Sequence, residues 1–197
     1  MAVLTPSQIG GITGRSRRGL TVLVALILAV WGGSAGAGLA QPAALEYAIK
    51  ANFLYKFGPF VEWPSQAFAS PSSAFNVCVA GEDPFGSALD DAVRGQTVGG
   101  HPVVVRRLKT VSANPPCHVL YVGRSPDQKP ADVMRLVRGA PVLTVTDEQL
   151  GTSGGIVHFV LRQGRVRFGV DAGTAQADGL AISSKLLQLA VPLGGAG

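Results

Sequence analysis

Cysteine, charge and aromatic residues are all scarce in this 197-residue chain, and each scarcity narrows what it can do. There are 2 cysteines and no CxxC pair, which argues against a zinc or iron–sulfur site of familiar spacing. Charged residues make up 15% of the chain, and no run of like charge suggests a polyelectrolyte tail. There is no GxSxG, no HExxH and no GK[ST], so the common signatures of hydrolases, zinc proteases and nucleotide-binding loops are missing. His101, His118 and His158 have no partner spaced for a triad or a metal site. Asp147 and Asp171 end apolar strands, where α/β proteins tend to place ligands, yet capping is the expected job of each. No catalytic constellation, cofactor motif or metal motif emerges.

The first forty residues read as a leader. Arg15, Arg17 and Arg18 form a positive region, and the apolar run Leu20 to Trp31 follows. Small residues then lead to Ala40, the expected cleavage point, with Ala35-Gly36-Ala37 as the alternative. Twelve apolar residues fall short of the roughly twenty that a spanning helix needs. A cleaved signal peptide over 1–40 and a mature domain over 41–197 are therefore expected, with export to the periplasm of a Gram-negative cell. Ser16-Arg17-Arg18 leaves the choice between the general and twin-arginine export routes open.

Removing the leader takes three arginines and no acidic residue, leaving 14 basic against 12 acidic side chains. The sequence pI of 9.6 is thus largely a targeting effect, and nucleic acid is not an expected partner. In an oxidising compartment Cys78 and Cys117 are expected to form a disulfide. It would close a loop worth about 4 kcal/mol in the chain-entropy account.

Aromatics are only 7% of the chain, yet six fall in the eighteen residues Tyr47 to Pro64. A helix is expected from Pro42 to Phe57, with Leu45, Ile49, Phe53 and Phe57 along one face. Tyr47, Ala51, Leu54 and Tyr55 spread apolar character around most of the remainder, so this helix asks for burial on more than one side. Glu46 and Lys50 read as a small solvent-facing ion pair. Core packing, with Trp63 as an anchor, and a protein-binding surface are both open readings, and Tyr47, Leu54 and Tyr55 are candidate dimer contacts.

Beyond it, strands are expected at Phe75–Ala80, Val103–Val105, His118–Val122 and Val142–Thr146. A hairpin of Ile156–Leu161 and Val166–Val170 follows. Helices are expected at Pro84–Val93, Pro130–Arg138 and Gly179–Ala190. Gly81-Glu82-Asp83-Pro84-Phe85-Gly86 reads as a structural turn rather than a phosphate loop, because its own acids occupy the anion position. Gly151 to Gly155 is a small nest before the hairpin. The fold class is α/β: a single layered domain with a mixed, mostly parallel sheet, helices on both faces, and a C-terminal strand hairpin plus helix.

An ordered set of short motifs resembles the YfiR family of exported bacterial proteins. The set begins with Lys50-Ala51, Phe53-Leu54-Tyr55 and Phe60-Val61-Glu62-Trp63-Pro64. Gly81 with Asp83-Pro84-Phe85-Gly86, Cys117-His118-Val119-Leu120-Tyr121-Val122 and Leu143-Thr144-Val145-Thr146-Asp147 continue it. Gly154-Gly155-Ile156-Val157, Arg165-Val166-Arg167-Phe168, Gly179-Leu180 and Ser183-Ser184-Lys185-Leu186-Leu187 complete it.

The resemblance implies a periplasmic, non-enzymatic repressor, commonly dimeric. Its partner would be the periplasmic domain of an inner-membrane diguanylate cyclase of the YfiN type, so that cyclic di-GMP and biofilm formation fall. It also implies that partner contacts come from the segment after the hairpin, here Gly169, Asp171, Ala172, Thr174 and Gln176. Relatives may carry a second cysteine pair near the hairpin; this chain has none there, so its one disulfide is expected to be structural. The alternative reading is a periplasmic small-molecule sensor for an aromatic or nucleotide-like ligand.

Overall fold

The computed structural model describes residues 41–193, so the leader and its cleavage point lie outside the described residues. Helix α1 (Gln41–Lys56) leads through a 3-10 turn, Gly58–Phe60, into the short strand β1 (Val61–Glu62). Then come β2 (Phe75–Ala80), α2 (Ser87–Val93), β3 (Thr97–Val98), β4 (His101–Leu108) and β5 (Val119–Val122). Helix α3 (Pro130–Leu136), β6 (Leu143–Asp147), β7 (Val157–Arg162) and β8 (Arg165–Val170) follow. The chain closes with α4 (Ala172–Ala177), β9 (Ala181–Ile182) and α5 (Ser184–Leu189).

The main sheet has seven strands in the order β3-β4-β2-β5-β6-β7-β8. Its five inner strands run parallel, and β3 and β8 close the two edges antiparallel. Strands β2, β5 and β6 are buried along their whole length, as expected of parallel strands covered on both faces. Side chains alternate between two cores. Val77, Val79, Val119, Tyr121 and Val145 meet α1 and α2 on one face, whereas Cys78, Ala80, Leu120 and Val122 meet α3 on the other. The α/β class with helices on both faces is the fold observed.

The disulfide joins Cys78 on β2 to Cys117 just before β5, with Cα atoms 5.8 Å apart. It ties the neighbouring strands at the α3 face. On the exposed edge, Val191 donates its N–H to Phe168 O at 2.9 Å, so the C-terminal tail covers part of β8.

Two helices differ from expectation. The first begins at Ser87, not Pro84, because the Asp83 carboxylate accepts from the N–H groups of Phe85 and Gly86, holding a tight turn before the helix. The last is shorter. Ala181 and Ile182 pair antiparallel with Glu62 and Val61, and Ser183 then caps a six-residue helix through the Leu186 N–H. The sequence pattern predicts no helix over Ala172–Ala177, since its small residues carry no apolar period.

Candidate functional site: a locked helix and its outward face

The carboxyl ends of parallel strands are where an α/β sheet usually holds a ligand. Here they hold a lysine of the same chain. Lys50, at the middle of α1, is 0% exposed, and its ammonium lies 2.9 and 2.7 Å from the two carboxylate oxygens of Asp147. Tyr121, on the adjacent strand β5, donates its hydroxyl to Asp147 Oδ2 at 3.0 Å. Asp147 Oδ1 also accepts from the Gln149 N–H at 3.0 Å, so the same carboxylate caps the 3-10 turn that follows. Thr152 Oγ1 accepts from the Asp147 N–H and donates back to its carbonyl, closing the loop. Glu46 Oε1 approaches the Lys50 ammonium to 2.5 Å, and the Tyr47 ring centroid lies 4.7 Å from it.

Lys50 is not the solvent-facing partner of Glu46 alone that the helical spacing predicts; it is buried and paired with Asp147 as well. The salient signal was present: a lysine in the middle of a helix apolar nearly all round, and an aspartate ending a strand otherwise buried along its length. Sequence spacing could not join residues 97 apart.

Chemically the cluster is closed. Burial, followed by the Asp147 and Glu46 charges, pushes the Tyr47 hydroxyl up to about 12. Burial first, then Asp147, also pushes Tyr121 far above the usual phenol range. Both tyrosines are therefore neutral donors at physiological pH, not nucleophiles or bases. Lys50, Tyr121 and Asp147 are all 0% exposed, so no substrate atom touches them in this conformation. What the cluster fixes is orientation. A helix apolar on every side has no hydrophobic preference for its rotation about its axis, whereas a buried ion pair with defined partners selects one.

That rotation decides which residues face out. Ala51, Leu54, Tyr55 and Phe57 point into the core, with Leu54 at 0% and Tyr55 at 9% exposure. Tyr47 is half-buried, edge-on to Phe85 at 5.9 Å. The expected row Leu45–Ile49–Phe53–Phe57 is split: Phe57 is in the core, while Leu45 is 64% and Ile49 41% exposed. Leu45, Ala48, Ile49, Asn52, Phe53 and Lys56 line a shallow groove of about 420 Å³ on the outward face. Of the candidate dimer contacts, Leu54 and Tyr55 are packed inside their own domain. The exposed apolar surface lies one helix face away.

The segment after the hairpin is a capped turn of helix. Asp171 accepts from the Thr174 N–H at 2.9 Å and from its hydroxyl at 2.8 Å. Those bonds hold its carboxyl below the ordinary range. Ala172 and Gln176 are exposed, Thr174 is half-buried and Gly169 is buried. A Cβ on Gly169 would collide with the Leu193 side chain, so the tail passes directly over it.

The other polar candidates are committed to the fold. In the Gly151–Gly155 nest, the Gly155 and Ile156 N–H groups already bond the hydroxyls of Thr146 and Thr144, and the Thr152 N–H bonds Asp147 O. His158 Nδ1 meets Thr146 Oγ1 at 2.8 Å. His118 is buried: its Nδ1 accepts from the Asn76 N–H and its Nε2 meets Ala67 O, both at 3.0 Å. Phe75 and Phe68 stack on its two faces, and Phe68 in turn stacks on His101. Among the described residues no group of histidine, cysteine and acidic side chains is arranged for a metal ion, and no helix is long and apolar enough to cross a membrane.

No curated protein matches the chain. The YfiR/HmsC-like family profile matches residues 47–191, so the chain belongs to that family, whose role is periplasmic and regulatory rather than catalytic.

Proposed function

We propose that this YfiR/HmsC-like chain is an exported, non-enzymatic repressor that binds the periplasmic domain of an inner-membrane diguanylate cyclase. Binding lowers cyclic di-GMP and with it biofilm formation. The observation that carries the reading is the family match over 47–191. It is supported by the closed cluster at the carboxyl ends of the strands, where an enzyme of this architecture would place reactive groups, and by the apolar surface left open on α1. Repression works by population shift: the chain binds the cyclase's inactive arrangement more tightly than its active one, and shifts the balance only by that difference.

In this reading the exposed edge of α4, with Asp171, Ala172, Thr174 and Gln176, meets the cyclase. The Leu45–Ile49–Phe53 face meets a second copy. An antiparallel pair of α1 helices would set Ala48 and Asn52 at the crossing. Co-purification of the mature chain with the periplasmic domain of a cyclase encoded beside it tests the first contact. A micromolar complex that weakens in Gln176→Trp is expected, and absence of any complex rejects the function. Sedimentation of Ile49→Asp tests the second: a folded monomer is expected, and an unchanged dimer rejects that face. Tyr55→Asp, by contrast, is expected to unfold the domain.

A further inference from the structure

At the other end of the strands lies a groove of about 560 Å³, beside the amino ends of β2 and β5. Its volume falls within the range of small-molecule sites. Its walls are largely apolar and small: Ala67, Ala74, Pro115, Pro116, Pro141 and Val142. Arg106 is the one permanently ionised side chain lining it, and no acidic residue lines it.

The guanidinium is aimed, not loose. Arg106 stands opposite Cys78 in the β4–β2 register, and its Nε donates to Asn76 Oδ1 at 2.9 Å. Asn76 is itself held twice by His118, donating its N–H to Nδ1 at 3.0 Å and accepting the His118 N–H on its carbonyl at 2.9 Å. Asn76 is 9% exposed, so the acceptor that orients Arg106 is nearly buried. Among the described residues the Arg106 Nη groups have no carboxylate partner, and the Asn76 Nδ2 has no hydrogen-bond partner. Arg106 is exposed and lines the groove together with Asn76, so its guanidinium is open to a ligand there.

The mouth is framed by the loop between β1 and β2. His118 Nε2 meets Ala67 O at 3.0 Å, and His101 Nδ1 meets Ser73 O at 2.7 Å. Phe68 is clasped between the two imidazoles, its centroid 4.0 Å from His101 and 4.4 Å from His118. The groove therefore has a braced rim, one cation tethered through its Nε, and no competing anion.

We propose that this groove binds a small organic carboxylate with a short apolar body, its carboxyl group on Arg106 and Asn76 and its chain against the alanine and proline wall. A guanidinium edge matches a carboxylate in a two-bond fork. One arginine with apolar walls suits a singly charged acid better than a multiply charged phosphate. The inference does not rest on the cyclase reading.

The test uses the mature chain alone at fixed pH and ionic strength, followed by amide chemical shifts. The probes are hexanoate, its uncharged amide hexanamide, and inorganic phosphate. Hexanoate is expected to saturate shifts at Asn76, Arg106 and Cys117, with hexanamide and phosphate far weaker. Arg106→Gln should weaken hexanoate by about ten- to a hundred-fold, the range for a lost charged hydrogen bond. Ala69→Trp, an exposed position on the rim, should block it with Arg106 intact. Equal binding of phosphate, equal binding of hexanamide, or an unchanged response in folded Arg106→Gln each overturns the proposal, as does no saturable shift at millimolar hexanoate.

Discussion

The two ends of the parallel sheet are built on opposite plans. At the carboxyl end Lys50, Asp147 and Tyr121 are buried and satisfy one another, and the crevice an α/β enzyme would use is filled by the chain's own first helix. At the amino end Arg106 faces an open groove with no acid beside it, and the buried groups there are aromatic rings and a neutral imidazole. Charge is spent on holding shape at one end and left available at the other. The fold class alone points to the carboxyl end, whose polar groups are already committed to one another, which is why function has to be argued from side chains.

The largest effect that tests this contrast is expected at the carboxyl end. Lys50→Met leaves Asp147 buried with Tyr121 and one backbone N–H but no cation, and Asp147→Leu leaves a buried lysine with only Glu46 beside it. Removing one partner of a buried pair costs about 3–5 kcal/mol. In a domain of this size that lowers the melting temperature by roughly 6–20 °C. The double variant should recover much of the loss, because two apolar groups replace two desolvated charges. Urea unfolding of the three variants measures this. Single variants within about 1 kcal/mol of the parent would mean that the pair is not desolvated as described. The double variant carries a further expectation: with the ion pair gone, nothing polar selects the rotation of α1, so amide exchange in α1 should rise even where stability recovers.

A smaller loss is expected from the disulfide. Cys78→Ala with Cys117→Ala removes a bond between adjacent strands and should cost about 2–4 kcal/mol. Because Cys117 lines the groove, its loss should also broaden the amide signals of Asn76 and Arg106, while the Lys50–Asp147 region stays unchanged. Broadening at both ends would show that the two are not independent.

Much of the architecture was legible from residues. Continuous apolar runs such as Val119-Leu120-Tyr121-Val122 declared the buried parallel strands, and glycine between two alternating segments declared the hairpin. Asp147 and Asp171, expected as caps, do cap the turns that follow them. The misreadings share one cause: they concern side chains whose environment is set by distant residues. Lys50 looked exposed because its helical neighbour Glu46 supplied a local explanation, while its real counter-ion comes from β6. The hydrogen-bond partners of His118 were not legible either, because Asn76 and Ala67 lie 42 and 51 residues away. Ala181 and Ile182 scored as helix until β1 offered them a ladder. The outward face of α1 was invisible for a further reason. On a helix apolar all round, composition does not say which side meets the core.

The smallest expected effect lies at the amino end and separates it by pH. His118 is held neutral: its Nδ1 accepts the Asn76 N–H while its Nε2–H donates to Ala67 O, so adding a proton to Nδ1 would set one donor against another. Burial accordingly lowers its proton affinity below the usual histidine value. The unfolded chain takes up that proton near pH 6.5 while the folded chain does not. Stability from this group is therefore full above about pH 7.5 and falls as the pH drops through 6.5 toward the folded value. His158, also lowered by burial, adds a slope of the same sign at the other end of the sheet. The carboxylates held low by partners, Asp90, Glu148 and Asp171, lose their contributions only below about pH 4, beneath the pH range of the urea midpoints. Urea midpoints between pH 7.5 and 5 should fall for the parent and fall less for His118→Gln, whose amide can keep the bond to Ala67 O but does not titrate. The absolute midpoint of the variant does not matter; the slope does. An equal slope in both would assign the acid sensitivity to His158. That result would move the proton-sensitive element from the open end of the sheet to the closed one.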